Sequence, residues 1–112
     1  MLSKTYRMKK NSQFDYIFKN GKTAKNNKLL MFYSKSNSKL PRIGIVVSKK
    51  IGKSVIRNRV KRLIRESIHK QLSSLNTKFN YIFVARQGIE NQTFAEIYSS
   101  VSNLLTSTQI HD

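Results

Sequence analysis

The sequence has 112 residues, enough for one domain whose single modest core hides roughly 60 to 70% of the surface the unfolded chain exposes. Twenty-two Lys and Arg against five Asp and Glu give a net charge of +17, while 38% hydrophobic residues, with six Phe and five Tyr, exceed what a disordered basic tail carries. The absence of cysteine excludes a disulfide scaffold or thiolate metal site, the first ten residues hold no signal-like apolar run, and no stretch approaches the roughly 20 apolar residues that span a bilayer, so a cytoplasmic protein with no membrane partner is expected.

Along the chain, Ser12 followed by Phe14, Ile17 and Phe18 and then Gly21 predicts a short helix with Ser12 as N-cap and a glycine stop. Leu29 to Tyr33 and Ile43 to Ser48 read as two strands, paired as a hairpin around the turn-forming residues Ser34 to Pro41. After Gly52 the period changes. Ile56, Val60, Leu63, Ile64, Ser67 and Ile68 share one face of an amphipathic helix over 54–70, with Ser54 as its N-cap. Tyr81 to Arg86 is a third strand, which makes strand, helix and strand a βαβ unit. Thr93-Phe-Ala-Glu96 is a capping-box pattern opening a last helix along Phe94, Ile97, Tyr98, Val101, Leu104 and Leu105. The expected fold is a single α/β (α+β) two-layer sandwich over residues 1–112, in the order αββαβα.

The charge is concentrated. Nineteen of the 22 basic residues lie in residues 1–65, where Asp15 is the sole acid. Between Ser48 and Glu66 eight residues are Lys or Arg: Lys49, Lys50, Lys53, Arg57, Arg59, Lys61, Arg62 and Arg65. On a helix Arg57, Lys61 and Arg65 form one ridge and Asn58 and Arg62 a second beside it, away from the apolar face. A helix face that is merely solvated interleaves acids with bases, because like charges at i,i+4 cost some tenths of a kcal/mol. These ridges have no acidic partners, so a polyanion is the better explanation. The planar fork of arginine, which holds phosphate by two hydrogen bonds or stacks on a base, points to nucleic acid.

Phe14, Phe18, Phe32 and Tyr33 sit in the basic half. Rings there serve single-stranded RNA binders as stacking platforms, although aromatic residues at helical spacing usually pack a core, and both readings stay open for Phe14 and Phe18. His69 and His111 have no motif around them, and the five acids form no paired-carboxylate or metal-ligand spacing, so no catalytic or metal-ligating residue is expected on the protein.

The stretch Ser48 to Glu66, with Arg57-Asn58-Arg59 at its centre, closely resembles the signature of the bacterial ribonuclease P protein family. The likeness extends to Arg7-Met-Lys-Lys10, to Phe14 with Ile17, Phe18 and Gly21, and to the strands Arg42–Ser48 and Tyr81–Arg86. The resemblance implies an α/β sandwich with a left-handed βαβ crossover, and an endoribonuclease subunit whose RNA partner performs the catalysis. That ribozyme, with Mg²⁺ bound mainly by RNA, removes the 5′ leader of precursor tRNA. By position, Lys53, Arg57, Asn58, Arg59, Lys61, Arg62 and Arg65 lie near the catalytic RNA and the cleavage-site end of the leader. Phe14, Phe18, Tyr33, Ser48, Lys49, Lys50 and Arg86 correspond to the cleft for the single-stranded leader. Catalytic RNA and precursor tRNA are the expected partners, with no obligate protein partner. A ribosome-associated RNA-binding protein and a self-sufficient metal-dependent nuclease are the competing readings.

Overall fold

A computed structural model describes residues 6–36 and 40–107; His111 lies outside the described residues. Helix α1 (Asn11–Asn20) leads into strands β1 (Lys22–Lys25), β2 (Leu29–Lys35) and β3 (Ile43–Val46), then α2 (Ser54–His69), β4 (Phe79–Ala85) and α3 (Phe94–Ser107). The four strands form one mixed sheet in the order β1-β2-β4-β3. The expected α+β class is present, with one strand more than the sequence pattern predicts.

The predicted hairpin is corrected by this order. Strands β2 and β3 are not neighbours; β4 lies between them, antiparallel to β2 and parallel to β3. The true hairpin joins β1 to β2, Lys22 opposite Tyr33 and Lys25 opposite Leu30. Strand β1 is Lys-Thr-Ala-Lys, with only Ala24 partly buried, so it has no apolar signature and is held by its ladder to β2. The βαβ unit is the β3–α2–β4 segment.

Period-2 alternation distributes the side chains between two faces. Met31, Ile43, Tyr81, Phe83 and Ala85 pack with Val60, Ile64 and Ile68 of α2 and Ile97, Val101 and Leu104 of α3. On the other face Ile82, beneath Ile17 of α1, forms a smaller cluster with Met8, joined by Phe14, Phe32, Val46 and Val84. Where two layers were expected, α1 therefore adds partial cover to the second face, and the central strand β4 buries residues on both faces, which is why it reads as a nearly continuous apolar run.

Helix starts differ from expectation by two residues in α1 and one in α2. Lys10 rather than Ser12 is the N-cap of α1, and Lys53 rather than Ser54 that of α2. The capping box of α3 forms as predicted, Thr93 N–H donating to Glu96 Oε1 at 2.9 Å and Glu96 N–H to Thr93 Oγ1 at 3.2 Å.

Candidate nucleic-acid interface

Helix α1 crosses the second face from β3 towards β2. The ring of Phe14 lies over Gly44 of β3 so closely that a Cβ there would sit 2.5 Å from Phe14 Cε1. One turn on, Phe18 meets Phe32 of β2 edge-to-face, ring centres 4.8 Å apart at 86°, and lies 6.4 Å from Phe14. Phe14 and Phe32 are partly buried, whereas Phe18 remains 39% exposed. One side of the row packs the small core and the other faces solvent.

Beyond α1 the same face continues through half-buried Leu30, Val84 and Val46, which are paired across the three strands. This apolar floor ends in a rim of positive charge. Parallel pairing of β3 with β4 brings Ser48, Lys49 and Lys50 to the end of the sheet where Arg86 follows β4, and all four are exposed. Arg86 N–H donates to Lys28 O at 3.0 Å, which adds Lys28 to the rim, and the Arg86 guanidinium is anchored on Asn26 O at 2.7 Å. Aromatic wall, apolar floor and cationic rim suit bases stacked or laid flat with phosphates outward.

Tyr33 is not part of this arrangement. It follows Phe32 on the strand, so its side chain points to the opposite face, where it packs against the main core with its ring 6.0 Å from Phe79. Phe32 takes the place that the sequence reading gave to Tyr33. The alternation Leu29, Met31, Tyr33 is the signal that separates them, since the first two are fully buried.

The second surface is α2, entered through a tight turn at Lys49–Ile51 and Gly52, whose φ of +156° with ψ of −169° belongs to glycine. Val60, Ile64, Ser67 and Ile68 face the core, and Lys53, Asn58 and Arg62 are exposed. Arg57, Lys61 and Arg65 form the expected ridge, partly buried along one flank. Arg57 Nε–H donates to Gly52 O at 3.1 Å, holding the first arginine back against the turn. Residues 6–8 run beside β3, with Arg7 bridged to Ile43 and Met8 N–H donating to Ile43 O at 2.8 Å. That places Arg7 near Arg65, whose hold on its proton is weakened by burial and then by the charge of Arg7. The sequence reading did not include Arg7 among its site residues.

Arg59 separates from the ridge. It falls about 160° around the helix from Lys61, and its guanidinium donates to Glu90 O at 3.2 Å and Gln92 O at 3.5 Å. Its contacts are with the turn leading into α3. Among the described residues no three His, Cys, Asp or Glu side chains come together as metal ligands, and Glu90 and Glu96 are engaged with backbone N–H groups.

The sequence matches the family model described as Ribonuclease P over residues 2–109. It is 37% identical to the ribonuclease P protein component of Clostridium kluyveri over 108 residues, covering 95% of this chain and 96% of that one. To the corresponding component of Caldanaerobacter subterraneus it is 39% identical over 112 residues, covering 100% and 97%. The fold superposes on the RNase P protein of Staphylococcus aureus with a TM-score of 0.86 at 32% identity, covering 96% of this chain and 98% of that one. For the RNase P protein of Thermotoga maritima the TM-score is 0.84 at 27% identity, covering 95% and 98%.

Proposed function

The chain belongs to the ribonuclease P protein family, and from that premise we propose how its two surfaces serve the holoenzyme. It is the protein component of an endoribonuclease whose partner is RNA. The RNA performs the phosphodiester hydrolysis, with Mg²⁺ held mainly by RNA phosphates; among the described residues the acids do not group into a site for that ion. The outer side of α2, with exposed Lys53, Asn58 and Arg62 and the partly buried Lys61 and Arg65 beside them, lies against the catalytic RNA. The second face of the sheet takes the single-stranded 5′ leader of precursor tRNA, its bases on Phe14, Phe18 and Phe32 and its phosphates towards Lys49, Lys50, Lys28 and Arg86. The protein acts in the cytoplasm and needs no other protein.

The observation that carries this reading is the row Phe14–Phe18–Phe32, left partly open on an apolar strand surface that ends in lysines and arginines. A structural RNA-binding protein needs the cations but not an open aromatic row beside them. Screening of the repulsion between leader and catalytic RNA lowers the Mg²⁺ needed for assembly. Addition of this protein to the partner RNA at low Mg²⁺ is expected to accelerate removal of the 5′ leader from precursor tRNA; an unchanged rate would refute the proposal, and cleavage by the protein alone would favour a nuclease.

A further inference from the structure

Helix α1 carries a second exposed ring that the surface described above does not use. Tyr16 is 58% exposed, the most open aromatic among the described residues. At 100° per residue it lies about 160° around α1 from Phe14 and Phe18, so the helix presents aromatic surface on both flanks. On the Tyr16 side is a separate pocket of about 330 Å³, bounded by Ser12, Gln13, Tyr16, Ser34, Lys35 and Asn80. Its size is at the lower end of the range for small-molecule sites.

The polar groups there have capacity to spare. Asn80 Oδ1 accepts from Arg42 N–H at 2.9 Å, which leaves the Asn80 amide N–H₂ to donate elsewhere. Gln13 Oε1 accepts from Lys10 N–H at 3.4 Å, and its amide N–H₂ likewise remains available. The pocket wall includes the exposed Lys35 and no carboxylate. An open ring, two amide donors, hydroxyls and a cation, beside an apolar patch at Ile17, match a nucleotide, whose base takes apolar and polar contacts together, better than an apolar peptide.

We propose that this pocket is a second single-stranded RNA subsite, on the opposite flank of α1 from the leader surface. It takes one unpaired nucleotide with its base on Tyr16, its edge towards Asn80 and Gln13, and its phosphate at Lys35. The inference rests on the RNA-binding function above, but not on which RNA supplies the nucleotide. Two sources share this chemistry: a nucleotide far upstream in a long leader, or an unpaired nucleotide of the catalytic RNA.

The test measures affinity of the reconstituted holoenzyme for precursor tRNAs with a two-nucleotide and a twelve-nucleotide leader, and affinity of the free protein for the catalytic RNA. Tyr16→Ala is expected to weaken one of these by about 5- to 150-fold, the effect of losing one stacked base, with Tyr16→Phe close to wild type. Loss confined to the long leader identifies the leader as source; loss in binding the catalytic RNA identifies the second. Lys35→Ala should lower the salt slope of the same interaction by about 0.7. Thermal unfolding of Tyr16→Ala should match wild type, since the ring is exposed. If Tyr16→Ala binds all three RNAs as wild type does, the subsite does not exist. Should Phe18→Ala still weaken binding of both leaders in that experiment, the subsite alone falls and the leader surface stands.

Discussion

The arginines of α2 look equivalent in sequence, yet their surroundings divide them. Arg62 is exposed on the outer ridge, whereas Arg59 spends its guanidinium on the carbonyls of Glu90 and Gln92. Arg62→Ala is therefore expected to lower the salt slope of RNA binding by about 0.7 to 0.9 without moving the melting temperature. Arg59→Ala is expected to lower the melting temperature by roughly 4 to 8 °C, about 1 kcal/mol in a domain of this size, with a smaller change in slope. Salt titration and thermal unfolding of both variants check this; a reversed pattern would put Arg59 on the RNA. Helical spacing alone places Arg59 away from the ridge, but the carbonyls that occupy it come from residues some thirty positions later, which spacing does not reveal. Tyr33 and Phe32 are a different case, because strand alternation was sufficient to tell them apart and the unbroken apolar run Leu29–Tyr33 obscured it.

At the scale of elements, the three α-helices, the two long strands and the βαβ unit were legible because each carries its own period or apolar run. Strand β1 was not, since Lys22–Lys25 owes its conformation to β2. The pairing of β2 with β4 was hidden for a related reason: strand order depends on which surfaces α1 and α2 cover, and the connection between β2 and β3 permits either neighbour. The contact of α1 with β3 is specific to one atom's width. Gly44 lacks the Cβ that would strike Phe14, so Gly44→Ala should lift the ring from its seat, destabilise the fold by about 1 to 3 kcal/mol and weaken leader binding. Unfolding curves together with leader affinity of the folded variant check this, and unchanged affinity would mean that the Phe14 position is immaterial to the leader.

Over the whole molecule, the net charge of +17 is not spread evenly. The folded chain gathers it into the rim of the open sheet face and the exposed side of α2, joined by the Ser48–Lys53 turn. The resulting positive field suits an RNA partner, and under the proposed function the aromatic row is what distinguishes an unpaired strand from a duplex. Sequence alone supplied the charge, the basic helix and the family resemblance; the uncovered half of the sheet emerged only when α1 was seen to cover the rest. The most direct measurement compares the affinity of the holoenzyme for precursor tRNA and for mature tRNA, with wild-type protein, Phe32→Ala and Tyr33→Ala. Wild-type protein should favour the precursor, Phe32→Ala should reduce that preference by about 5- to 150-fold, and Tyr33→Ala, once corrected for any loss of folded protein, should retain it. Equal affinity of the wild-type holoenzyme for the two RNAs, or a preference that survives Phe32→Ala but not Tyr33→Ala, would contradict the leader surface assigned to this sheet.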